Sequence, residues 1–208
     1  SWQSARLLVT DEFAAPPVIL RVGDSVIGTL GNFSASTGKA KSKKTFNVCA
    51  IVAAAMMGGT VLNYSASLPP ERRRILYVDT EQSRFHCKRV LCRILRLAGL
   101  PTDAHPPLLE FLCLRGYATK ERLRKIEEAI YDLDDLGLVV IDGIRDLAHD
   151  INSPGEATDL ITKLMQWTDE RRIHIHTVLH LNKGDDNTRG HLGTELNNKA
   201  ETVLQITK

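Results

Sequence analysis

Between Gly38 and Phe46 the chain reads GKAKSKKTF, one glycine, four lysines and a threonine, followed by an apolar run. These residue types suit phosphate chemistry. In the pattern G-x-x-x-x-G-K-[ST], backbone N–H groups cradle a nucleotide's phosphates, the lysine reaches the β- and γ-phosphates, and the hydroxyl joins Mg²⁺. Two registers compete. Phe33–Ala40 supplies the pair Gly38-Lys39 but no opening glycine, and Ala40 lacks a hydroxyl. Gly38–Thr45 supplies the opening glycine, Lys44 and Thr45, but places Lys43 where the second glycine belongs. The following segment decides, because such a loop runs into a buried helix whose N-terminus faces the anion. FNVCAIVAAAMM follows Thr45, whereas KSKKT, which cannot be buried, follows Ala40. The second register is adopted. The nucleotide-binding stretch is then Gly38, Lys39, Ala40, Lys41, Ser42, Lys43, Lys44, Thr45 and Phe46. A side chain at Lys43 fits only with a negative φ or an unusual loop shape. A solvated basic loop is the competing reading, since that is the usual fate of a charge run.

A nucleotide-bound Mg²⁺ needs a carboxylate on a neighbouring strand. LVVID ends in Asp142 and has the form of that strand, so Thr45 and Asp142 are the metal candidates. The next residue is Gly143, which cannot activate water. ILYVDTEQS instead places Glu81 just past another strand, where a carboxylate can orient the attacking water. Glu81 can equally be a helix N-terminal residue favoured by the dipole, with Thr80 as its cap, and both roles are compatible. VLHLNKG offers His180, and secondly Asn182, to sense a γ-phosphate; a polar loop edge is the alternative. His174 and His176 read as structural, because no carboxylate or cysteine stands at ligand spacing. Arg189 is the single arginine of KGDDNTRGHLGTELNN, a stretch expected to be functional or mobile. From a neighbouring subunit such an arginine can accelerate phosphoryl transfer by roughly 10³–10⁵-fold. It can also contact DNA phosphate, or do neither.

These residues need a scaffold that brings strand tips together. The pattern alternates strands and helices. Val18–Val22 and Ser25–Phe33 read as a hairpin turned at Gly23-Asp24, and a helix is expected from about Lys44 to Met57. Strands follow at Ile75–Asp79, Leu109–Leu114, Leu136–Asp142, Ile173–Leu181 and Glu201–Thr207. Helices lie between them, one from Phe85 to Gly99, one capped by Thr119 and running to about Leu133, and one over Asp159–Glu170. Continuous apolar strands alternating with helices predict an α/β fold with a mainly parallel central sheet and helices on both faces. Ligands in such sheets bind at the carboxyl ends of the strands.

The totals bound the class. The 208 residues suit one domain, with residues 1–24 as an N-terminal extension and hairpin. The first residue is Ser1 rather than methionine, so a piece of a longer protein is expected. A net charge of +2 does not by itself argue for nucleic acid. Cys49, Cys87, Cys92 and Cys113 form no C-x-x-C pair and read as free thiols of a reducing cytosol. The longest apolar run, Val48–Met57, is about half the roughly 20 residues that span a bilayer. A cytoplasmic protein without a membrane partner is expected.

Over Val26–Ile206 the chain resembles the RecA-like P-loop ATPases, and within them the hexameric replicative helicases of the RepA family, with DnaB, KaiC and RadA-type proteins further away. The stretch Gly38–Thr45 is similar to their Walker A loop, VDTEQ (Val78–Gln82) to the strand followed by the catalytic glutamate, and LVVIDGIRDL (Leu138–Leu147) to Walker B. VLHLNKG and RGHLGTELNN are similar to the histidine-bearing strand and the arginine stretch of these helicases. The resemblance implies Glu81 as catalytic base, Lys44 on phosphate, His180 as γ-phosphate sensor and Arg189 as the residue acting across a subunit interface. It implies ATP and Mg²⁺ as cofactors, single-stranded DNA as partner, and a homo-oligomeric ring, a hexamer in this group. Arg145, Lys183 and Arg189 are then the candidates for contact with DNA phosphate. Such proteins serve DNA replication in plasmids, phages and other mobile genetic elements. Lys43 and a one-residue gap around His180 depart from the pattern.

Three functions follow from this reading. The first is an ATP-hydrolysing RecA-fold DNA motor of the helicase type. The second is a recombinase-like or regulatory RecA-family ATPase. The third, motivated by Lys43, is a degenerate P-loop module that binds DNA or protein without hydrolysis.

Overall fold

The computed structural model describes residues 1–39, 43–181 and 190–207. Ala40, Lys41, Ser42, Asn182, Lys183 and Arg189, all singled out above, lie outside them.

Two sheets share the chain. Strands β1 (Val18–Val22) and β2 (Ser25–Thr29) form the expected hairpin, with Val22 opposite Ser25. The second arm is shorter than the sequence suggests. The chain turns at Gly31, whose φ is 90°, and a separate strand β3 (Phe33–Lys39) begins at Phe33. After helix α1 (Lys44–Met57) two short strands follow, β4 (Thr60–Val61) and β5 (Tyr64–Ala66). They complete a four-stranded sheet of order β2-β1-β5-β4.

The larger sheet joins β3 to β6 (Arg74–Asp79), β7 (Leu109–Cys113), β8 (Leu136–Asp142), β9 (His174–Leu181) and β10 (Thr202–Gln205). Its order is β10-β3-β9-β8-β6-β7, and every pairing is parallel. Helices cover both faces, which is the RecA-like P-loop architecture. Side chains alternate across the sheet, as a period of two requires. Ile75, Tyr77, Leu138 and Val140 join a core with α1, α2 (Arg84–Leu97) and the small sheet. Leu76, Val78, Val139 and Ile141 join a second core with α3 (Thr119–Asp132), α4 (Pro154–Arg171) and α5 (Gly190–Lys199). Helix α1 lies between the two sheets, so Val48–Ala55 are buried all round, and its sequence is apolar on every side.

Several helix ends differ from expectation. Thr119 is the first residue of α3 rather than its cap, which is Ala118. Helix α4 starts at Pro154 rather than Asp159, because the Ser153 hydroxyl accepts the Glu156 N–H and Pro154 suits a first helical position. The polar stretch before β10 holds helix α5, anchored by Leu192 and Leu196 one turn apart.

Candidate active site

In a parallel sheet all strand carboxyl ends share one edge, and the candidate residues lie along it. Lys44 opens α1 and is buried. Its Nζ donates to the carbonyl of Lys39 at the tip of β3. Burial lowers the Lys44 pKa, while the charges of Asp142 and Glu81 pull it back up. The ammonium of residue 44 therefore sits in the field of both acids, whereas Lys39 is exposed. Lys43, the N-cap, has φ 63° and ψ 25°. The negative φ expected for a side chain at this glycine position is not adopted; Lys43 takes the left-handed conformation instead. For an L-residue that conformation costs roughly 1–2 kcal/mol.

Asp142 ends β8 and is almost fully buried. Its Oδ2 accepts from Thr45 Oγ1 at 3.2 Å and from the Tyr77 hydroxyl at 2.9 Å. Its Oδ1 lies 3.4 Å from His180 Nε2. A threonine hydroxyl beside a buried carboxylate at a helix N-terminus is a hard-oxygen donor set, which suits Mg²⁺. No cluster of three or more His, Cys, Asp or Glu able to hold a metal occurs among the described residues. Magnesium bound with nucleotide fits that sparse set, since it keeps most of its shell as water and phosphate.

Glu81 stands past the tip of β6, the strand paired with β8 so that Asp79 faces Asp142. Asp79 shapes the turn, its carboxylate accepting the N–H groups of Glu81 and Gln82 at 2.9 and 2.8 Å and the Gln82 side-chain amide at 2.8 Å. Helix α2 begins only at Arg84, so Glu81 is not in its first turn. Thr80 caps no helix either. Its hydroxyl reaches across to the Gly143 carbonyl at 2.7 Å and to Asp146 Oδ2 at 3.0 Å, tying the β6 and β8 tips together. Gly143 has φ 98°, and a Cβ there would lie 2.4 Å from Thr80 Oγ1 and 2.9 Å from Glu81 Cγ. The space beside Asp142 is thus filled by Glu81 from the neighbouring strand. Desolvation raises the Glu81 pKa, opposed by the His180 charge and reinforced by Asp146, Asp142 and Asp79. A carboxylate moved toward neutrality is a better proton acceptor at physiological pH.

His180, near the end of β9, links the two acids, with Nε2 3.6 Å from Glu81 Oε2 and 3.4 Å from Asp142 Oδ1. Burial works against its protonation, but the Asp142 hydrogen bond and the charges of Glu81 and Asp142 outweigh it, so its pKa is raised.

Two further histidines of β9 do a different job. His174 Nδ1 bonds the Thr29 carbonyl at 2.8 Å, so it carries the proton and Nε2 accepts from Ser34 Oγ at 2.7 Å. Ser34 Oγ is then free to accept from His176 Nδ1, and His176 Nε2 accepts from Ser36 Oγ, both at 2.7 Å. This directional chain fastens β9 to β3, the strand that leads into the lysine loop. Desolvation lowers the pKa to about 4 for His174 and about 3 for His176, so both are neutral. They bind no acid.

The structure thus brings together Lys44, Thr45, Glu81, Asp142 and His180. It leaves Arg145 exposed, lining with Glu81, Arg115, Arg122 and His149 an open polar pocket of about 800 Å³. Phe46 is partly exposed beside Arg93, whose guanidinium lies 5.9 Å from its ring centroid. Sequence reasoning missed Tyr77, Asp79 and Thr80 as supports of the site. Only Asp79 had a local signal, an aspartate at a strand end with two N–H groups following, the setting of an Asx turn.

A family model described as an AAA domain matches residues 5–186. No curated protein matches the chain. No helix among the described residues is long and apolar enough to cross a membrane.

Proposed function

Because the chain belongs to the AAA domain family, a family of P-loop ATPases, we propose that it hydrolyses ATP to drive a RecA-fold motor on single-stranded DNA, of the RepA helicase type and working as a homo-oligomeric ring. One observation carries the catalytic part: Lys44, Glu81 and Asp142 converge at one point on the sheet edge, from a helix start and two adjacent strand tips.

Lys44 and the N–H groups at the start of α1 hold the phosphate tail. Thr45 and Asp142 hold Mg²⁺, which when bound neutralises phosphate charge. Glu81 orients a water against the γ-phosphorus and takes its proton as the bond to the bridging oxygen breaks. His180 hydrogen-bonds to Asp142, and its charge interacts with Glu81. It is thereby placed to register a γ-phosphate that competes for its proton. Arg189 of a neighbouring copy completes the charge, and DNA runs past Arg145 and the stretch containing Lys183. A role in DNA replication within a mobile element belongs to this reading.

The left-handed Lys43 favours a second reading, a module that binds nucleotide poorly and hydrolyses none, acting through DNA or protein contact. The two are separated by titrating ATP·Mg²⁺ while following thermal unfolding, then measuring phosphate release with and without a single-stranded oligonucleotide. A ligand of the folded state raises the melting temperature by mass action. The motor reading expects a rise, and turnover that the oligonucleotide accelerates. No rise and no phosphate release would leave the second reading in its place.

A further inference from the structure

Helix α2 carries Arg84, Lys88, Arg89, Arg93 and Arg96 and no acidic residue. The whole chain has a net charge of +2, so this one helix is more positive than the molecule it belongs to. Helices α3, α4 and α5 mix the signs. Helix α3 sets Glu121, Glu127, Glu128 and Asp132 against its lysines and arginines, and Arg124 pairs with Glu128 one turn on. A solvated helix face gains from such mixing, whereas like charges four residues apart repel. On α2 the pairs Arg84–Lys88 and Arg89–Arg93 are both of that repelling kind.

Nothing within the described residues offsets this charge. Arg84, Lys88, Arg89 and Arg96 are exposed, and none makes an ion pair there. Arg93 alone is engaged, over the Phe46 ring. Phe85 stands 71% exposed at the head of the same face, and with Lys88, Arg89, Arg93 and Arg96 it lines an open groove of about 600 Å³. The apolar face of α2, with Val90 and Ile94, is already used against α1 in the core. What remains outward is mostly charge, with the exposed Phe85 ring set edge-on to His86 at 5.3 Å. That is too little apolar surface to lie in a membrane interface. It is the combination that holds single-stranded nucleic acid, cations tracking the backbone and a ring available for a base. From Arg84 to Arg96 the stripe runs about 18 Å at 1.5 Å per residue, longer than one nucleotide's phosphate tail requires.

We infer that the outward face of α2 binds the phosphodiester backbone of a single-stranded nucleic acid, with Arg84, Lys88, Arg89 and Arg96 on phosphates and Phe85 against a base. This rests on the reading of the chain as an ATPase that works on a strand. It adds a contact surface on the α1–α2 side of the sheet, separate from the loops that follow β8 and β9. A strand held there lies over the helix that begins three residues after Glu81, so binding and the catalytic turn share one short segment.

The test is fluorescence anisotropy of a labelled 20-nucleotide oligo-dT with the whole chain, read over a series of salt concentrations without ATP. The double variant Lys88→Glu, Arg96→Glu is compared with the parent, with circular dichroism to check that the exposed substitutions leave the fold intact. On a single strand each lost phosphate contact lowers the log–log salt slope by about 0.7. The variant should lose at least about tenfold in affinity and about 1.4 units of slope. Phe85→Ala, which removes no charge, should weaken binding with the slope unchanged. Equal affinity and slope in parent and double variant would overturn the inference, as would an oligo-dT signal that poly-glutamate displaces equally well. The outcome is separable from that of the ATPase reading. Strand binding is measured without hydrolysis, so an inactive chain that still binds through α2 refutes the motor alone. A strand-stimulated ATPase indifferent to the α2 reversals refutes this surface alone.

Discussion

The two ends of strand β9 make an instructive contrast. His174, His176 and His180 share a parity and therefore a face of the strand. The first two are sealed in the interior and satisfied by serine hydroxyls and a carbonyl, and burial drives their pKa values down to about 4 and about 3. The third sits at the open edge between Glu81 and Asp142, and its pKa is raised. One residue type thus does opposite work over six positions. Where desolvation outweighs any nearby charge, histidine serves as a neutral two-ended connector. Where acids converge, it becomes part of a charged constellation suited to phosphate. Neighbours across the sheet, and not position along the strand, set the outcome.

The largest way to break the contrast is acid. The unfolded chain protonates His174 and His176 near pH 6.5, but the folded chain resists until about pH 4 and about pH 3. Protons then favour the unfolded state, and stability should fall as pH drops from about 6.5 toward 4. The loss should reach several kcal/mol, since each tenfold difference in proton affinity between the two states is worth about 1.4 kcal/mol. His180 has the opposite sign. Its contribution is present below pH 6.5 and fades as pH rises through its higher folded value. Urea unfolding measured at pH 7.5, 6 and 5 should show the interior pair dominating, with the midpoint dropping at each step. A midpoint that rises on acidification would refute the neutral pair.

Next in size is Ser34→Ala, which orphans His174 Nε2 and His176 Nδ1 together. With one unmet buried group costing about 1–3 kcal/mol, a loss of roughly 2–4 kcal/mol in urea is expected. Lys43→Gly should move stability the other way, by about 0.5–1 kcal/mol, since relief of the left-handed strain exceeds the added chain entropy of glycine. It should also tighten ATP binding if the lysine hampers the loop. The smallest effect on stability belongs to His180→Gln. Its side chain is 30% exposed, and removing a partly solvated charge pair should change unfolding by less than about 1 kcal/mol. The same substitution should alter the pH profile of ATP turnover, which Ser34→Ala should leave in shape. That difference in readout sharpens the division between interior and tip.

Local pattern made much of the fold legible. The β8 run LGLVVID and the apolar stretch after Thr45 could be placed because every signal they carry is local, and α1 spans Lys44–Met57 as expected. Strand β3 was not legible as an element. Ser34, Ser36 and Thr37 are polar yet all are buried, and the partners of the two serines are histidines some 140 positions away. Nor does the sequence show why residue 28 is glycine; a Cβ there would meet the His174 ring at 2.7 Å. Helix α5 hid because two leucines are its main anchors among polar residues. At the edge, Lys44, Thr45 and Asp142 stood out by motif, and Glu81 by its place after a strand. Tyr77 and Thr80 did not, because their roles depend on the pairing of β6 with β8, which no spacing along the chain encodes.

The central claim is that the carboxylate of Glu81 acts on water at a phosphate held by Lys44. Glu81→Gln keeps the shape of the side chain and removes the base, so the most direct measurement is its rate of phosphate release from ATP·Mg²⁺ beside its affinity for a fluorescent ATP analogue. The account predicts turnover reduced by about 10²–10⁴-fold with affinity retained within a few-fold. Turnover equal to that of the parent chain would contradict it.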